Sequence, residues 1–509
     1  MNQILSENQS GARQDDAPGR SLEPEQECQG HSCSASQPRS FGRAALALLS
    51  FAVVYLPLEE FLLKWAPGGS LGYAALRIAF EGLLFLAVGS LLAARAVKGL
   101  HLRATPLDAP LLLFGALATA SLFLSDGSVL QGLINLRVLL RYVAVFYLVV
   151  YLELAPAERR RVLVLLLCSA GLQGVLGLVQ ASQGGASEFW LPRSDLTAVG
   201  GVTHEFAALD GGLEQGAVLG TTDHSVAFAL FLLVAGTLAA ALLLAGAVRG
   251  WRRALLAGLV GLALAGIVFS YVRSCLFGLG LTLLVLAWRE RRSAPMRRLL
   301  PALALVAPIV LGFLLLVPRG EVAFVREKET RVSPLASVGA LFTSEYLQAS
   351  EGSRLWVLRD VGAEIARSAG WLGFGPDQEH VKQCLLRSGG ASLHRLVAYR
   401  AFEDVYWVAL LAYYGFLGLA VFLVVLARLV PAARQAREAV DPWERAAGHT
   451  LFALLLVLVP LSFLTPTLDF RTFAFPFWML AGMVVARARP AAAPARAGTH
   501  EPVRAVRLA

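Results

Sequence analysis

The chain is short of charge. Asp, Glu, Lys and Arg make up 16% of its 509 residues, against 56% hydrophobic residues and a mean hydropathy of +0.61. Soluble domains run near ~25% charged, so this composition belongs to a multi-span membrane protein. One domain per ~150 residues is then the wrong ruler, because spans set the organisation. Cysteine is also sparse: Cys28 and Cys33 in an N-terminal tail, Cys168 and Cys275 in or beside apolar runs, and Cys384 by itself in a polar interval. Cys28, His31 and Cys33 fall short of the roughly four ligands of a zinc site, and no second pair follows. No metal and no other cofactor is expected. The sequence lacks a Walker loop, a dinucleotide fingerprint, HExxH and a nucleophile elbow. It has no repeat of solenoid type, and low complexity is confined to the Ala/Pro/Arg tail after Arg487.

What is present is a series of apolar bursts of roughly 17–25 residues, the length that crosses a bilayer as helix. They predict an all-α integral membrane protein of about twelve spans, near 42–63, 71–94, 107–125, 133–152, 161–181, 222–246, 253–271, 274–289, 299–317, 403–428, 447–465 and 471–487. Residues 1–40 read as a disordered tail, too polar for a signal peptide, so that the first span directs insertion. Spans one to nine fill 41–317, a large polar loop fills 318–402, the last three spans fill 403–487, and a second tail fills 488–509. The net charge of +9 raises nucleic acid as a partner, but its distribution speaks against that. Lys and Arg gather in short runs between apolar segments: Arg95/Lys98/Arg103, Arg159/Arg160/Arg161, Arg249/Arg252/Arg253, 289–298 and 428–445. The alternate loops hold only Lys64, Arg193, Arg273 and Arg471. By the positive-inside rule both termini are cytoplasmic and the 318–402 loop faces outward.

Within that loop, 353–369 has helical period, with Leu355, Leu358, Val361 and Ile365 on one face. Gly370 ends it, and Gly373-Phe374-Gly375-Pro376-Asp377 forms a turn whose backbone can come close to a ligand. A second outward segment, 182–222, is Gly-rich.

Ionisable groups inside spans cost at least ~2.5 kcal/mol at the helix centre, so each one asks for a reason. Glu59 and Glu60 sit at a span end, within reach of water. Arg77 and Glu81, four apart, suit a pair on one helix face. Arg137 and Arg141, also four apart, have no acid on their span; they either snorkel to headgroups or build an anion site. Arg273, flanked by serines and Tyr271, has the setting of a phosphate-gripping guanidinium as well as of an ordinary helix end. Arg354 either adds a charge from the loop or lies on its surface. Asp223 with His224, and Glu403 with Asp404, open two spans, as caps or as groups placed to take a proton from a hydroxyl.

In combination, TTDHSVAFALFLL, SYVRSCLFGLGLTLL, SRLWVLRDVGAEIARSAGWLGFGPD and DVYWVALLAYYGFLGL, in this order, resemble the O-antigen ligase/polymerase family of bacterial surface-polysaccharide enzymes. The similarity covers roughly 220–426 by motif and the first five spans by layout. It implies a GT-C-like, metal-independent glycosyltransferase in the bacterial inner membrane. Its donor would be a glycan on undecaprenyl diphosphate, and other polysaccharide-assembly proteins would be its partners. On that resemblance Arg273 and Arg354 stabilise the departing diphosphate, and the carry-over to Arg141 is looser; from their own positions Arg137, Arg141, His224 and Glu403 are candidate substrate-binding residues. The ligase pattern places a His eleven residues before a GxxG. Here Gly415-Phe416-Leu417-Gly418 is preceded at that distance by Asp404, an acid as in the polymerase branch. Asp404 would orient or deprotonate the acceptor hydroxyl, and His394 is a substitute from the loop. Polymerase is the leading expectation and ligase the alternative. A transporter or flippase of an anionic solute stands as the reading from another class, and a structural anchor for envelope assembly as a further one.

Overall fold

A computed structural model describes residues 39–65, 69–99, 103–186, 189–190, 217–290, 357–389 and 402–487. The tails, the expected span at 299–317, and Arg354 and His394 lie outside the described residues. The described residues are helical, with no strand. In order the helices are α1 (Arg39–Tyr55), α2 (Glu59–Leu63), α3 (Gly69–Val97), α4 (Asp108–Leu124), α5 (Val129–Leu140), α6 (Val143–Leu152), α7 (Pro156–Ser182) and α8 (Ser225–Ala245). They continue with α9 (Trp251–Phe269), α10 (Arg273–Glu290), α11 (Gly362–Ser368), α12 (Gln378–Gly389), α13 (Tyr406–Ala436), α14 (Pro442–Leu461) and α15 (Arg471–Arg487).

Six helices are long and apolar enough to cross a membrane: most of α3, and α7, α8, α9, α13 and α14. A seventh span results if α5 and α6, bent by 43° at their junction, are taken as one. Three shorter apolar helices lie in α1, α4 and α10. The composition and these helices are those of a membrane protein. The bundle surface agrees, since Leu86, Leu112 and Phe123 are each about two-thirds exposed or more. A water-facing surface of that kind would be an aggregation hazard, whereas lipid solvates it.

The centre is α8. Every residue from Ser225 to Ala245 is buried, as expected of a helix apolar on all sides. It packs against α7, α9, α10, α14 and α15. Its one mid-helix hydroxyl, Thr237, is satisfied by the Leu233 carbonyl at 2.7 Å and by Thr282 at 3.1 Å.

The connection between α14 and α15 defines what we label the upper end of the bundle. There Tyr406 N–H donates to the Ser462 carbonyl and the Thr472 hydroxyl to the Ala227 carbonyl. The 217–222 segment is tied down at the same end by two buried glutamines. Gln180 accepts from the N–H groups of Leu219 and Gly220, and Gln173 accepts from Thr221 N–H. At the lower end, Arg445 reaches the last carbonyl of α8, on Ala245, at 2.7 Å.

One helix is broken in its interior. At Gly415 (φ +65°, ψ −168°) the ladder of α13 opens, and the 370–377 segment fills the gap. Phe374 and Gly375 donate to the carbonyls of Ala412 and Tyr413, while Phe416 and Leu417 donate to those of Gly370 and Trp371. Backbone groups freed by the break are thus paired, as buried polar groups require. Gly373 and Gly375 hold positive φ here. The GFG turn, read from sequence as a backbone that approaches a ligand, approaches the backbone of α13.

Candidate functional site

Arg471 opens α15 at the upper end and is 6% exposed. A cation that deep needs partners, and α2 provides two. After the turn at 56–58 the chain re-enters as α2, which aims Glu59 and Glu60 at the two terminal nitrogens of the guanidinium; the Glu60 contact is 2.7 Å. Glu60 also meets Arg77 of α3 at 3.5 Å. The sequence reading left both glutamates within reach of water, but they are 2% and 5% exposed. Their charge is balanced by protein instead of solvent.

A second cluster adjoins the first. Glu81 of α3 receives Arg141 at 3.0 Å and Arg137 at 3.3 Å. The acid absent from the arginines' own span therefore comes from a neighbouring helix. Arg141 sits at the α5/α6 break, where free carbonyls at a helix C-terminus favour a cation. Its second terminal nitrogen donates to the Asp469 carbonyl at 3.1 Å, and its guanidinium lies 4.8 Å from the Tyr142 ring centre. In these contacts four guanidiniums meet three carboxylates, and Asp223 and Asp469 bring further negative charge beside Arg471 and Arg141. Arg137 is the most exposed of the four.

A third group lies at the entrance of α13. Glu403 accepts from the Tyr413 hydroxyl on one carboxylate oxygen and from Gln378 of α12 on the other. Burial pushes its carboxyl up to about 7, against the pull of the Tyr413 hydrogen bond and Lys382 and with the repulsion of Asp404 and Glu379. Asp469 is pushed up to about 7 as well, by burial first and by Glu403 second, against Arg141. Two acids thus share one neighbourhood near neutrality, beside the arginine cluster. α12 is held in place by Asp377, which accepts from Ser128 N–H at 2.7 Å, and by the Pro376 carbonyl, which accepts from Asn135 at 2.7 Å.

Arg141 reaches the 462–471 connection at the Asp469 carbonyl, Arg137 shares Glu81 with it, and Glu403 acts on Asp469 from the entrance of α13. Arg273 begins α10 at the same end and meets that connection through its neighbour Ser274, whose hydroxyl is 2.7 Å from that of Thr465. Tyr271 beside it holds a left-handed backbone (φ +57°). His224 caps α8, its Nδ1 accepting from Val226 N–H at 3.1 Å, 6.2 Å from the Phe470 ring. Asp404 is exposed, while its neighbour Glu403 turns inward. The sequence reading passed over Arg471, Asp469 and the α2 glutamates as site residues. The available signal was Asp469-Phe470-Arg471, two opposite charges at the mouth of an apolar helix.

Among the described residues no group of three His, Cys, Asp or Glu side chains is placed to hold a metal ion. A small concave pocket with about 20 Å³ of interior space lies at the lower end, away from these clusters. No family model matches the chain, and no curated protein matches it.

Proposed function

We propose that the chain is a membrane glycosyltransferase that polymerises oligosaccharide repeat units carried on undecaprenyl diphosphate. The observation that supports this reading is that one end of the bundle holds both the arginine clusters on Glu59, Glu60 and Glu81 and the two acids Asp469 and Glu403, with Arg141 reaching the Asp469 carbonyl. A diphosphate asks for several guanidiniums, and an acceptor hydroxyl asks for a base whose pKa lies near the working pH. This end offers both. In the reaction the acceptor hydroxyl oxygen bonds to the anomeric carbon, the bond from that carbon to the diphosphate oxygen breaks, and the hydroxyl proton passes to Glu403. The lipid keeps the diphosphate, whose developing charge Arg137 and Arg141 stabilise. Tyr413 and Gln378 occupy one lone pair on each Glu403 oxygen and leave others for the acceptor. Asp404, exposed beside it, would orient the acceptor, with Arg273 adding to the diphosphate grip and His224 near the approach; Arg354 and His394 keep the roles the resemblance and the sequence suggest for them.

This reading includes a GT-C-like arrangement of about twelve spans in the bacterial inner membrane, since α1, α4, α10 and α15 begin or end where the expected spans do. The upper end then faces outward and the termini face the cytoplasm, as the basic loops require. A ligase that moves finished glycan onto lipid A-core shares the donor chemistry. A strain lacking the gene separates the two: single lipid-linked repeats should accumulate for a polymerase. Polymer of normal length on undecaprenyl diphosphate would instead assign the ligase.

A further inference from the structure

We infer that Tyr413 and Gln378 are positioning residues for Glu403, set in place by the outward 370–378 segment. Their part in the reaction rests on the reading of Glu403 as the base.

Tyr413 is reached through the break in α13. In an unbroken helix its carbonyl would accept from the N–H of Leu417, four residues on. Here Leu417 donates to Trp371, and the Tyr413 carbonyl accepts from Gly375 N–H at 3.2 Å and from the Ser121 hydroxyl of α4 at 2.7 Å. Two elements foreign to α13 thus fix the Tyr413 backbone. Its ring packs edge-on against Phe402 at 5.7 Å, and its hydroxyl donates to one oxygen of Glu403.

Gln378 leaves the same segment and donates to the other oxygen. The two residues before it are tied to α5, Asp377 at Ser128 N–H and Pro376 at the Asn135 side chain. Asp377 also accepts from Glu379 N–H at 3.1 Å, which starts α12. Behind Gln378, α12 is anchored by Val381 and Leu385, both fully buried in a cluster with Phe402 and Val405. Since α5 carries Arg137 and leads into Arg141, one segment sets the register between those guanidiniums and the Glu403 carboxylate.

A carboxylate with a donor on each oxygen is fixed in rotation and favoured in its ionised form. The charged groups around Glu403 pull both ways: Lys382 and Glu379 from α12, Asp404 beside it, and Asp469 from the 462–471 connection. Burial opposes ionisation, and the Tyr413 bond is the largest influence in its favour.

The test uses the full-length protein in lipid nanodiscs and infrared difference spectra across pH. Glu403 is identified as the carboxyl band missing from Glu403→Gln, and in wild type it should titrate at about 7. Tyr413→Phe keeps the ring and removes the donor, so the midpoint should rise by about one pH unit, the effect of one lost charge-assisted hydrogen bond. Gln378→Leu should move it the same way. In elongation assays with lipid-diphosphate-linked repeats, Tyr413→Phe should lower kcat about fivefold at neutral pH, with KM within about twofold, and regain the rate at higher pH. A merely structural role would lose rate at every pH. An unmoved midpoint in either variant, with an active wild type, would overturn the positioning role and leave the polymerase reading standing. Raised midpoints in a wild type and variants that elongate nothing would uphold the grip on Glu403 and sink that reading instead.

Discussion

At the scale of single residues the upper end is governed by paired charges that individually could not be buried. Arg471 illustrates the rule: with Glu59 and Glu60 on its two terminal nitrogens, it ties α15 to α2 across the bundle. Arg471→Gln strands the buried Glu59 and leaves Glu60 with Arg77 as its remaining arginine, and breaking a buried pair in this way costs about 3–5 kcal/mol. We expect a sharp fall in the melting temperature of the purified protein, partly reversed by adding Glu59→Gln and Glu60→Gln. An opposite effect is expected at Tyr406, 2% exposed, whose hydroxyl has no hydrogen-bond partner among the described residues. Tyr406→Phe removes an unsatisfied buried group and should raise stability by about 1 kcal/mol, read in the same melting assay.

Glu403 carries a pH prediction with two signs. Its carboxyl is raised to about 7 in the folded protein, above the ~4.3 of an unfolded chain. The neutral form is therefore the one that folding favours. Its stabilising share is whole in acid and is lost as pH rises through about 7. The proposed catalysis needs the ionised form, so the transfer rate should climb over that same interval. Glu403→Gln should remove the climb and most of the rate, without the alkaline loss of stability. A variant with an unchanged pH–rate profile would exclude Glu403 as the base.

At the scale of elements the decisive feature is the break in α13. Gly415 holds φ +65°, and a Cβ there would lie 2.4 Å from the Trp371 carbonyl oxygen. Gly373 faces it with an equally close approach. Gly415→Ala thus meets both a disfavoured backbone and a clash, and should cost at least about 2 kcal/mol. Gly280→Ala, inside α10 with no heavy atom within 4 Å of the added carbon, should be neutral or stabilising by about 0.5–1 kcal/mol. Comparing the two by gel filtration of the solubilised protein separates the GxxG motif from a general intolerance of alanine. The motif was legible in the sequence as four residues, but its purpose was not. Gly415 matters because a distant segment donates to the backbone it frees, and no local spacing records that partner.

At the scale of the whole molecule, helix positions were readable because apolar length alone dictates them. The bounds of α7 to α10, α14 and α15 fall within about five residues of the expected spans, while α13 runs on to Ala436, past the expected end at 428. Charge pairing was less readable. Arg77 and Glu81 look like partners at i, i+4, yet Glu81 holds Arg137 and Arg141 while Arg77 meets Glu60. Helical spacing states which pairs are geometrically allowed, and tertiary packing then offers closer competitors. Asp404 stood at the motif distance, whereas the carboxylate turned into the bundle is its neighbour, a one-residue rotation that only packing decides. The measurement that tests the central proposal most directly is elongation in vitro, with purified protein, lipid-diphosphate-linked repeat units and no nucleotide sugar. The account predicts a ladder of longer lipid-linked products from wild type and almost none from Arg141→Gln that still folds. Absence of a ladder from folded wild type, or an undiminished one from Arg141→Gln, would contradict it.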